Sequence, residues 1–186
     1  MRVVAGTARG RRLAAPTGTD VRPTGDRVRE ATFNALGSLD VIRDALVLDL
    51  FGGSGALGIE ALSRGAAHAT FVDSARRSVE AIRANLATCD LEDRSSVVPM
   101  DALAYLTAQR TRFDLALLDP PYAYDRWDEL MGLLVARVVV IESDRAIDPG
   151  PERVVQRQRR YGGTVVTIAV VTDREDRGRR TLEDRQ

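Results

Sequence analysis

The feature that most constrains the fold is a glycine-rich turn between an apolar run and the start of a helical pattern. Residues 45–51 are apolar except for Asp49, which is typical of a strand buried on both faces. The run leads into Gly53-x-Gly55-x-x-Gly58. Glycines at these positions allow a sharp turn and a close approach of ligand to backbone. The arrangement predicts an open α/β sheet that binds a nucleoside-bearing cofactor at the turn.

The rest of the chain continues this alternation of strand-like and helix-like patterns. Strands are predicted at residues 69–72, 97–100, 113–118 and 138–141, with helices at 75–86, 102–106 and 127–136 between them. Two further strands, at 154–159 and 164–171, flank a Tyr161-Gly162-Gly163 turn and form a hairpin. The third strand contains Pro99, which fits only an edge or a bulge. We therefore predict an α/β fold, with a seven-stranded, mostly parallel sheet that ends in a C-terminal antiparallel hairpin.

The two ends of the chain differ from this pattern. Residues 2–6 and 11–15 are strand-like and predict a small β-hairpin, which is followed by a loop at 16–20. A helix is predicted over residues 26–37, with Thr24 or Asp26 as its cap. We expect an N-terminal extension at 1–40, a sheet domain at 41–172 and a charged, disordered tail at 173–186.

Composition narrows the class of protein. The 186 residues carry 27 basic and 27 acidic side chains, so the formal charge is +0, which excludes a globally basic nucleic-acid coat protein. Cys89 and His68 are each the only residue of their type, which argues against a disulfide framework and a Cys- or His-rich metal centre. No apolar stretch could span a bilayer, and no signal sequence is visible. We expect a cytoplasmic, monomeric protein without a metal or a membrane partner.

Charge is nevertheless uneven along the chain, and every basic residue is arginine. Arginine carries a planar, always-charged fork suited to phosphate. A basic N-terminal lobe on a neutral protein is a sensible way to bind RNA. The candidate RNA-binding residues of this lobe are Arg9, Arg11, Arg12, Arg22, Arg27 and Arg29, with Arg2 beside them. A second cluster, on a predicted strand, consists of Arg153, Arg157, Arg159 and Arg160.

Two carboxylates near the glycine turn indicate which cofactor it binds. Asp73 follows the turn at the end of the second predicted strand, where a carboxylate can bind the ribose hydroxyls. Asp49 precedes Gly53 and could bind the ammonium of a methionine moiety, which favours S-adenosylmethionine over a nicotinamide dinucleotide. The candidate cofactor-binding residues from this reasoning are Asp49, Phe51, Gly52, Gly53, Ser54, Gly55 and Asp73.

A second motif, Asp119-Pro120-Pro121-Tyr122, follows the fourth predicted strand at its carboxyl end. Ligands bind at this edge of open α/β sheets. The prolines stiffen the segment, while its carbonyls and Asp119 offer hydrogen-bond acceptors beside the flat ring of Tyr122. These four candidate catalytic residues suit an exocyclic amine of a base, which would have to be flipped out if it were paired.

The chain resembles the bacterial methyltransferases that modify the N2 atom of guanine 966 in 16S ribosomal RNA. The resemblance covers nearly the whole chain. It implies a Rossmann-like class I methyltransferase fold, S-adenosylmethionine as cofactor, and 16S rRNA in the small subunit or an assembly intermediate as substrate, with neighbouring ribosomal proteins as further contacts. It also implies that Asp101 meets the adenine amine. The segments that carry it are Arg2-Val3-Val4-Ala5-Gly6 with Arg9-Gly10-Arg11, Arg22-Pro23-Thr24, Asp26-Arg27-Val28-Arg29-Glu30-Ala31, Phe33-Asn34, the glycine motif, residues 60–66 and Asp119-Pro120-Pro121-Tyr122.

Other functions remain open at this point. A DNA amino-methyltransferase shares both motifs, and a protein glutamine methyltransferase differs mainly in carrying Asn first in the second motif. A nicotinamide dehydrogenase would need a catalytic His or Lys, whereas His68 precedes the second strand and lysine is absent. A non-catalytic RNA-binding module would not need an intact Asp119–Tyr122 segment.

Overall fold

The computed structural model describes residues 1–16 and 25–172. Most of the predicted 16–20 loop, Arg22, Thr24 and the predicted charged tail at 173–186 lie outside the described residues. Within the described ranges, no helix is both long enough and apolar enough to cross a membrane.

Thirteen elements alternate along the described chain much as the sequence predicts. They are α1 Asp26–Ser38, β1 Leu46–Leu50, α2 Ala56–Ser63, β2 His68–Asp73, α3 Arg76–Cys89, a 3-10 turn Glu92–Arg94, β3 Ser95–Pro99, α4 Ala102–Ala108, β4 Phe113–Leu118, α5 Trp127–Leu133, β5 Ala136–Ser143, β6 Arg153–Tyr161 and β7 Thr164–Val171.

The strands form one seven-stranded sheet in the order β3-β2-β1-β4-β5-β7-β6. Strands β1 to β5 are parallel, while β7 runs antiparallel to both β5 and β6. The prediction of a mostly parallel α/β sheet with a C-terminal antiparallel hairpin is confirmed. Pro99 ends β3, which is an edge strand as its proline requires. The central β1 places its carboxyl end, and thus the glycine turn, in the middle of one sheet edge.

The predicted helix at 127–136 is too long. Helix α5 ends at Leu133, and Ala136 begins β5 by pairing with Phe113. Ala136 is buried in the sheet. Strand pairing at this position therefore overrides the good helix propensity of the segment. The cap of α1 also differs, since Gly25 occupies the N-cap position without a side-chain hydrogen bond and Asp26 is the first helical residue.

The predicted N-terminal hairpin is present in a short form. Arg2 and Arg12 form an antiparallel bridge, and the Val3 amide donates across it to the Arg11 carbonyl at 3.0 Å while the Leu13 amide donates to the Met1 carbonyl at 3.1 Å. Beyond Val3 the amide N–H groups bond to α2. Val4 and Ala5 donate to the carboxylate of Glu60, and Thr7 donates to the carbonyl of Ser63. The pairing of the hairpin therefore ends after Val3, and the residues that follow are fixed to α2.

The described N-terminal residues pack into the main core. Val3, Leu13 and Phe33 are buried in the same apolar cluster as Val47 of β1 and Leu62 of α2. This part of the chain is therefore not a separately packed lobe. The predicted boundary at residue 40, between an RNA-binding extension and the sheet domain, stays a prediction about function.

Candidate cofactor and substrate site

The glycine turn between β1 and α2 is a tightly folded loop at the carboxyl edge of the sheet. The Gly52 amide donates to the carbonyl of Val72 at 3.0 Å, and the Gly55 amide donates to the carbonyl of Gly52 at 2.7 Å. Gly55 caps α2 with φ +77°, a conformation that favours glycine. A side chain on Gly58 would place its Cβ 2.4 Å from Phe71, so this glycine permits close packing of α2 on β2. Sequence reasoning correctly located this turn.

Asp49 lies beneath the turn and is almost fully buried. Its Oδ2 accepts a hydrogen bond from the Gly58 amide at 2.9 Å. Burial raises the pKa of this carboxyl to about 8, with smaller contributions from the negative charges of Asp119 and Asp73, while the bond from Gly58 opposes the shift. Asp49 is therefore mostly protonated at pH 7 in the absence of a cation. Its role toward an ammonium group stays a prediction.

Asp73 and Asp101 stand at the ends of the next two strands along the same edge. The Asp73 Oδ2 accepts from the Gly53 amide at 2.9 Å, and its Oδ1 accepts from the Ala75 amide at 2.8 Å. The Asp101 Oδ1 caps α4 by accepting from two amides at 3.0 Å each. The two carboxylates are thus held by backbone at adjacent strand ends, as the predicted topology requires.

The Asp119–Tyr122 segment begins where β4 ends, next to the glycine turn. Leu118 pairs with Leu50, so the residues that follow β4 and β1 are neighbours at the sheet edge. Pro120 is buried, whereas Tyr122 is 43% exposed. The Tyr122 hydroxyl shares a 2.8 Å hydrogen bond with Thr164 Oγ1 at the start of β7. This hydrogen bond links the Tyr122 ring to the start of β7.

Tyr124 joins the two motifs and was not among the predicted site residues. Its ring packs edge-on against Phe51 at a centroid distance of 5.1 Å and against Trp127 at 5.4 Å. Its amide donates to the Pro121 carbonyl at 2.8 Å. An aromatic residue two positions beyond Tyr122 is the sequence signal that could have identified it.

Asn85 of α3 was also missed, although it holds the glycine turn against the N-terminal segment. Its Nδ2 donates to the carbonyls of Ser54 at 2.8 Å and Ala14 at 2.9 Å, and its Oδ1 accepts from the Ala14 amide at 2.8 Å. The side chain is buried. A polar residue within the apolar stripe of a helix was the available signal.

Replacing Asn85 with alanine is expected to raise the Kd of the cofactor site by several-fold, up to about tenfold, and to lower the free energy of unfolding by about 1–3 kcal/mol. The loss arises because buried backbone groups of Ser54 and Ala14 would have no partner. Calorimetric titration and denaturant melts measure the two effects. Asn34→Ala, at an exposed position of α1, is the control, and an unchanged Kd for Asn85→Ala would contradict a role in holding the turn.

The predicted RNA-binding arginines do not form one exposed set. Arg29 is fully buried, pairing with Asp26 at 2.9 Å and lying 3.7 Å from Glu60, so phosphate cannot reach it and its predicted role is wrong. Arg11 pairs with Asp90 at 2.7 Å. Exposed side chains that remain candidates are Arg9, Arg12 and Arg27, and Arg22 lies outside the described residues.

Comparisons with known proteins identify the family. The model for the family described as "Conserved hypothetical protein 95" matches residues 1–170. The chain belongs to this family. It is 38% identical over 170 residues to "Putative rRNA methyltransferase YlbH" of Bacillus subtilis, covering 90% of this chain and 91% of that one.

Two further proteins are similar to this chain, one by sequence and one by structure. "Ribosomal RNA small subunit methyltransferase D" of Escherichia coli strain K12 is 42% identical over 134 residues, which cover 72% of this chain and 66% of that one. The solved structure of "Putative methyltransferase yhhF from Escherichia coli" matches with a TM-score of 0.83 and 34% identity, over 94% of this chain and 99% of that one. The family and the fold therefore agree with the resemblance carried by the motifs.

Proposed function

We propose that this protein is an S-adenosylmethionine-dependent rRNA methyltransferase that modifies the exocyclic N2 of a guanine in 16S rRNA, of the guanine 966 type. The observation that carries the proposal is the position of Asp119–Tyr122 beside the glycine turn at one sheet edge. Relatives named as rRNA small subunit methyltransferases support the substrate class. An rRNA substrate also implies a cytoplasmic location and the small subunit, or an assembly intermediate, as partner.

The residues at the sheet edge fit the proposed cofactor by the chemistry of their donors and acceptors. S-adenosylmethionine offers ribose hydroxyls, an adenine amine and an ammonium group, all of which donate hydrogen bonds. At the edge, the carboxylate of Asp73 would accept from the ribose hydroxyls, that of Asp101 from the adenine amine and that of Asp49 from the ammonium group. Gly53 and Gly55 leave the backbone of the turn open to the ligand. The bound cofactor supplies an activated methyl group, and the protein supplies position and charge.

The substrate side of the proposed mechanism depends on Asp119 and its neighbours. Asp119 and the Pro120 carbonyl accept hydrogen bonds from the guanine amine, and Tyr122 stacks on the base. Holding the amine in this orientation would present N2 to the activated methyl group that a bound cofactor supplies, so the protein would accelerate transfer mainly by positioning. The carboxylate of Asp119 stabilises the positive charge that develops on N2 as the new bond forms. The amine proton leaves to Asp119 or to water after transfer.

The raised pKa of Asp49 predicts a pH dependence of cofactor binding. Below pH 8 the Asp49 carboxyl is protonated, and a bound ammonium favours its ionised form, so binding releases a proton. Affinity is therefore expected to rise from pH 6 toward pH 8, by up to about tenfold per pH unit. Calorimetry in buffers of different ionisation enthalpy measures both affinity and proton release.

Asp49→Asn is the matched variant for this experiment, because the amide oxygen can still accept from Gly58. The cofactor's own amine titrates equally with both proteins, so the difference between their pH profiles reports Asp49. Identical profiles and identical proton release for the two proteins would contradict contact between Asp49 and the ammonium.

The function is tested by transfer of a labelled methyl group. Unmethylated small ribosomal subunits, naked 16S rRNA and duplex DNA are offered in parallel with labelled S-adenosylmethionine. We expect label in the subunit or the naked rRNA and none in DNA. Label in DNA would favour a DNA amino-methyltransferase. Binding of the cofactor without transfer to any of the three would contradict the proposed function.

A further inference from the structure

Strand β6 forms the outer edge of the sheet and carries an unbalanced charge. Residues 153–171, which span β6 and β7, contain four arginines and no acidic residue. All four arginines, Arg153, Arg157, Arg159 and Arg160, lie on β6. An edge strand with charges of one sign resists pairing with other strands, but it also forms a surface that attracts polyanions. The contacts that each arginine makes within the protein show whether its side chain is available to a polyanion.

A β-bulge decides which way these side chains point. The register of β6 against β7 shifts between Val155, which pairs with Ala169, and Arg157, which pairs with Ile168. Because side chains alternate along a strand, the extra residue brings Arg157 onto the same face as Ile168. Arg159, two residues further, shares that face, which is the face packed against α1.

The bulge thereby lines a shallow groove between α1 and β6. Arg157, Arg159 and Tyr161 form one wall, and Ala31 and Ala35 form part of the other. The small side chains of α1 leave Arg157 and Arg159 uncovered on this face. The exposed Arg27 lies four residues before Ala31, on the same face of α1. Arg27 therefore lies about one helical turn from the α1 wall of the groove.

Arg157 and Arg159 are not used by the fold. Both side chains are exposed, and neither makes a hydrogen bond or an ion pair with the described part of the chain. In contrast, Arg153 donates to the carbonyls of Pro149 at 3.0 Å and Leu134 at 2.7 Å, and burial lowers the pKa of its guanidinium. Arg160 donates to the Asp144 carbonyl at 3.5 Å. Two unpartnered guanidinium groups on one face are available to phosphate.

The groove ends at the candidate substrate site. Strand β6 finishes at Tyr161, and the hairpin turn leads to Thr164, whose hydroxyl bonds Tyr122. We propose that the groove between α1 and β6 binds the phosphate backbone of the rRNA next to the target base, through Arg157 and Arg159. This inference rests on the proposed rRNA substrate. It adds a second RNA-contacting surface, built from the opposite end of the chain to the predicted basic lobe.

The test compares two double variants that remove equal charge, one from the groove and one from the amino ends of the central strands. Arg157→Gln with Arg159→Gln alters the groove, and Arg43→Gln with Arg112→Gln alters exposed positions just before β1 and β4. Filter binding to naked 16S rRNA and to unmethylated small subunits is measured over a series of salt concentrations. Calorimetric binding of S-adenosylmethionine verifies that the folded site is intact in each variant.

We expect the groove variant to bind naked rRNA about tenfold more weakly, with the salt slope reduced by about 2, and the control to bind like wild type. Equal losses in both variants, or no loss in either, would overturn the proposal. A loss seen with subunits but not with naked rRNA would indicate a ribosomal protein and would also overturn it. Wild-type binding without methyl transfer would contradict the proposed function while leaving the groove supported.

Discussion

Replacing Asp119 with alanine is expected to lower kcat for methyl transfer about 10²–10³-fold or more while leaving the Kd of the cofactor close to that of wild type. Asp119 follows β4 beside the glycine turn, where its carboxylate would stabilise charge on the attacking amine. It also contributes to the raised pKa of Asp49. Its removal therefore lowers that pKa and makes ionisation of Asp49 easier, which favours retention of the cofactor.

Single-turnover transfer and calorimetric titration separate these two effects. Asp128→Ala, which removes an exposed carboxylate from α5, is the matched control and should leave both unchanged. Equal loss of turnover and cofactor affinity in Asp119→Ala would show that Asp119 serves the cofactor site. Retained turnover would remove Asp119 from the mechanism.

The second large effect is expected at Glu60, which anchors the N-terminal segment from within α2. Its carboxylate is fully buried and accepts from the amides of Val4 at 2.8 Å and Ala5 at 3.1 Å, and from Arg64 Nε at 2.7 Å. It also lies 3.7 Å from the buried Arg29. Glu60→Ala leaves that guanidinium without its fully buried counter-ion, so we expect a loss of about 3–5 kcal/mol in the free energy of unfolding.

Denaturant melts measure this loss, and two variants control it. Glu30→Ala removes an exposed carboxylate from α1 and should change stability by about 0.5 kcal/mol or less. Glu60→Gln keeps one acceptor for the backbone amides, so its loss of unfolding free energy should lie between those of Glu60→Ala and Glu30→Ala. A change of less than about 1 kcal/mol for Glu60→Ala would mean that the network does not stabilise the N-terminal segment.

The sheet and the main site motifs could be predicted because their signals are local. A continuous apolar run, a glycine turn and a Pro-Pro segment each specify a conformation within a few residues. Parallel topology then requires that residues after β1, β2 and β4 meet at one edge. Asp73 and Asp119 are placed correctly by that reasoning, and no long-range contact had to be known.

The main errors and omissions involve contacts between distant parts of the chain. Arg29 looks like one exposed arginine among several in sequence, but Glu60, far along the chain, draws it into the core. Asn85 binds residues on both the N-terminal segment and the glycine turn. The α1–β6 groove depends on a bulge that shifts the strand by one residue. Local periodicity does not identify the distant partner in any of these three cases.

The measurement that tests the central claim most directly is identification of the methylated nucleoside. Unmethylated small subunits are incubated with wild-type protein and S-adenosylmethionine, the 16S rRNA is digested to nucleosides, and the products are separated and identified by mass against authentic standards. We expect N2-methylguanosine from the wild-type protein and none when Asp119→Ala replaces it. A methyl group on another atom, on another base or on a ribosomal protein would contradict it.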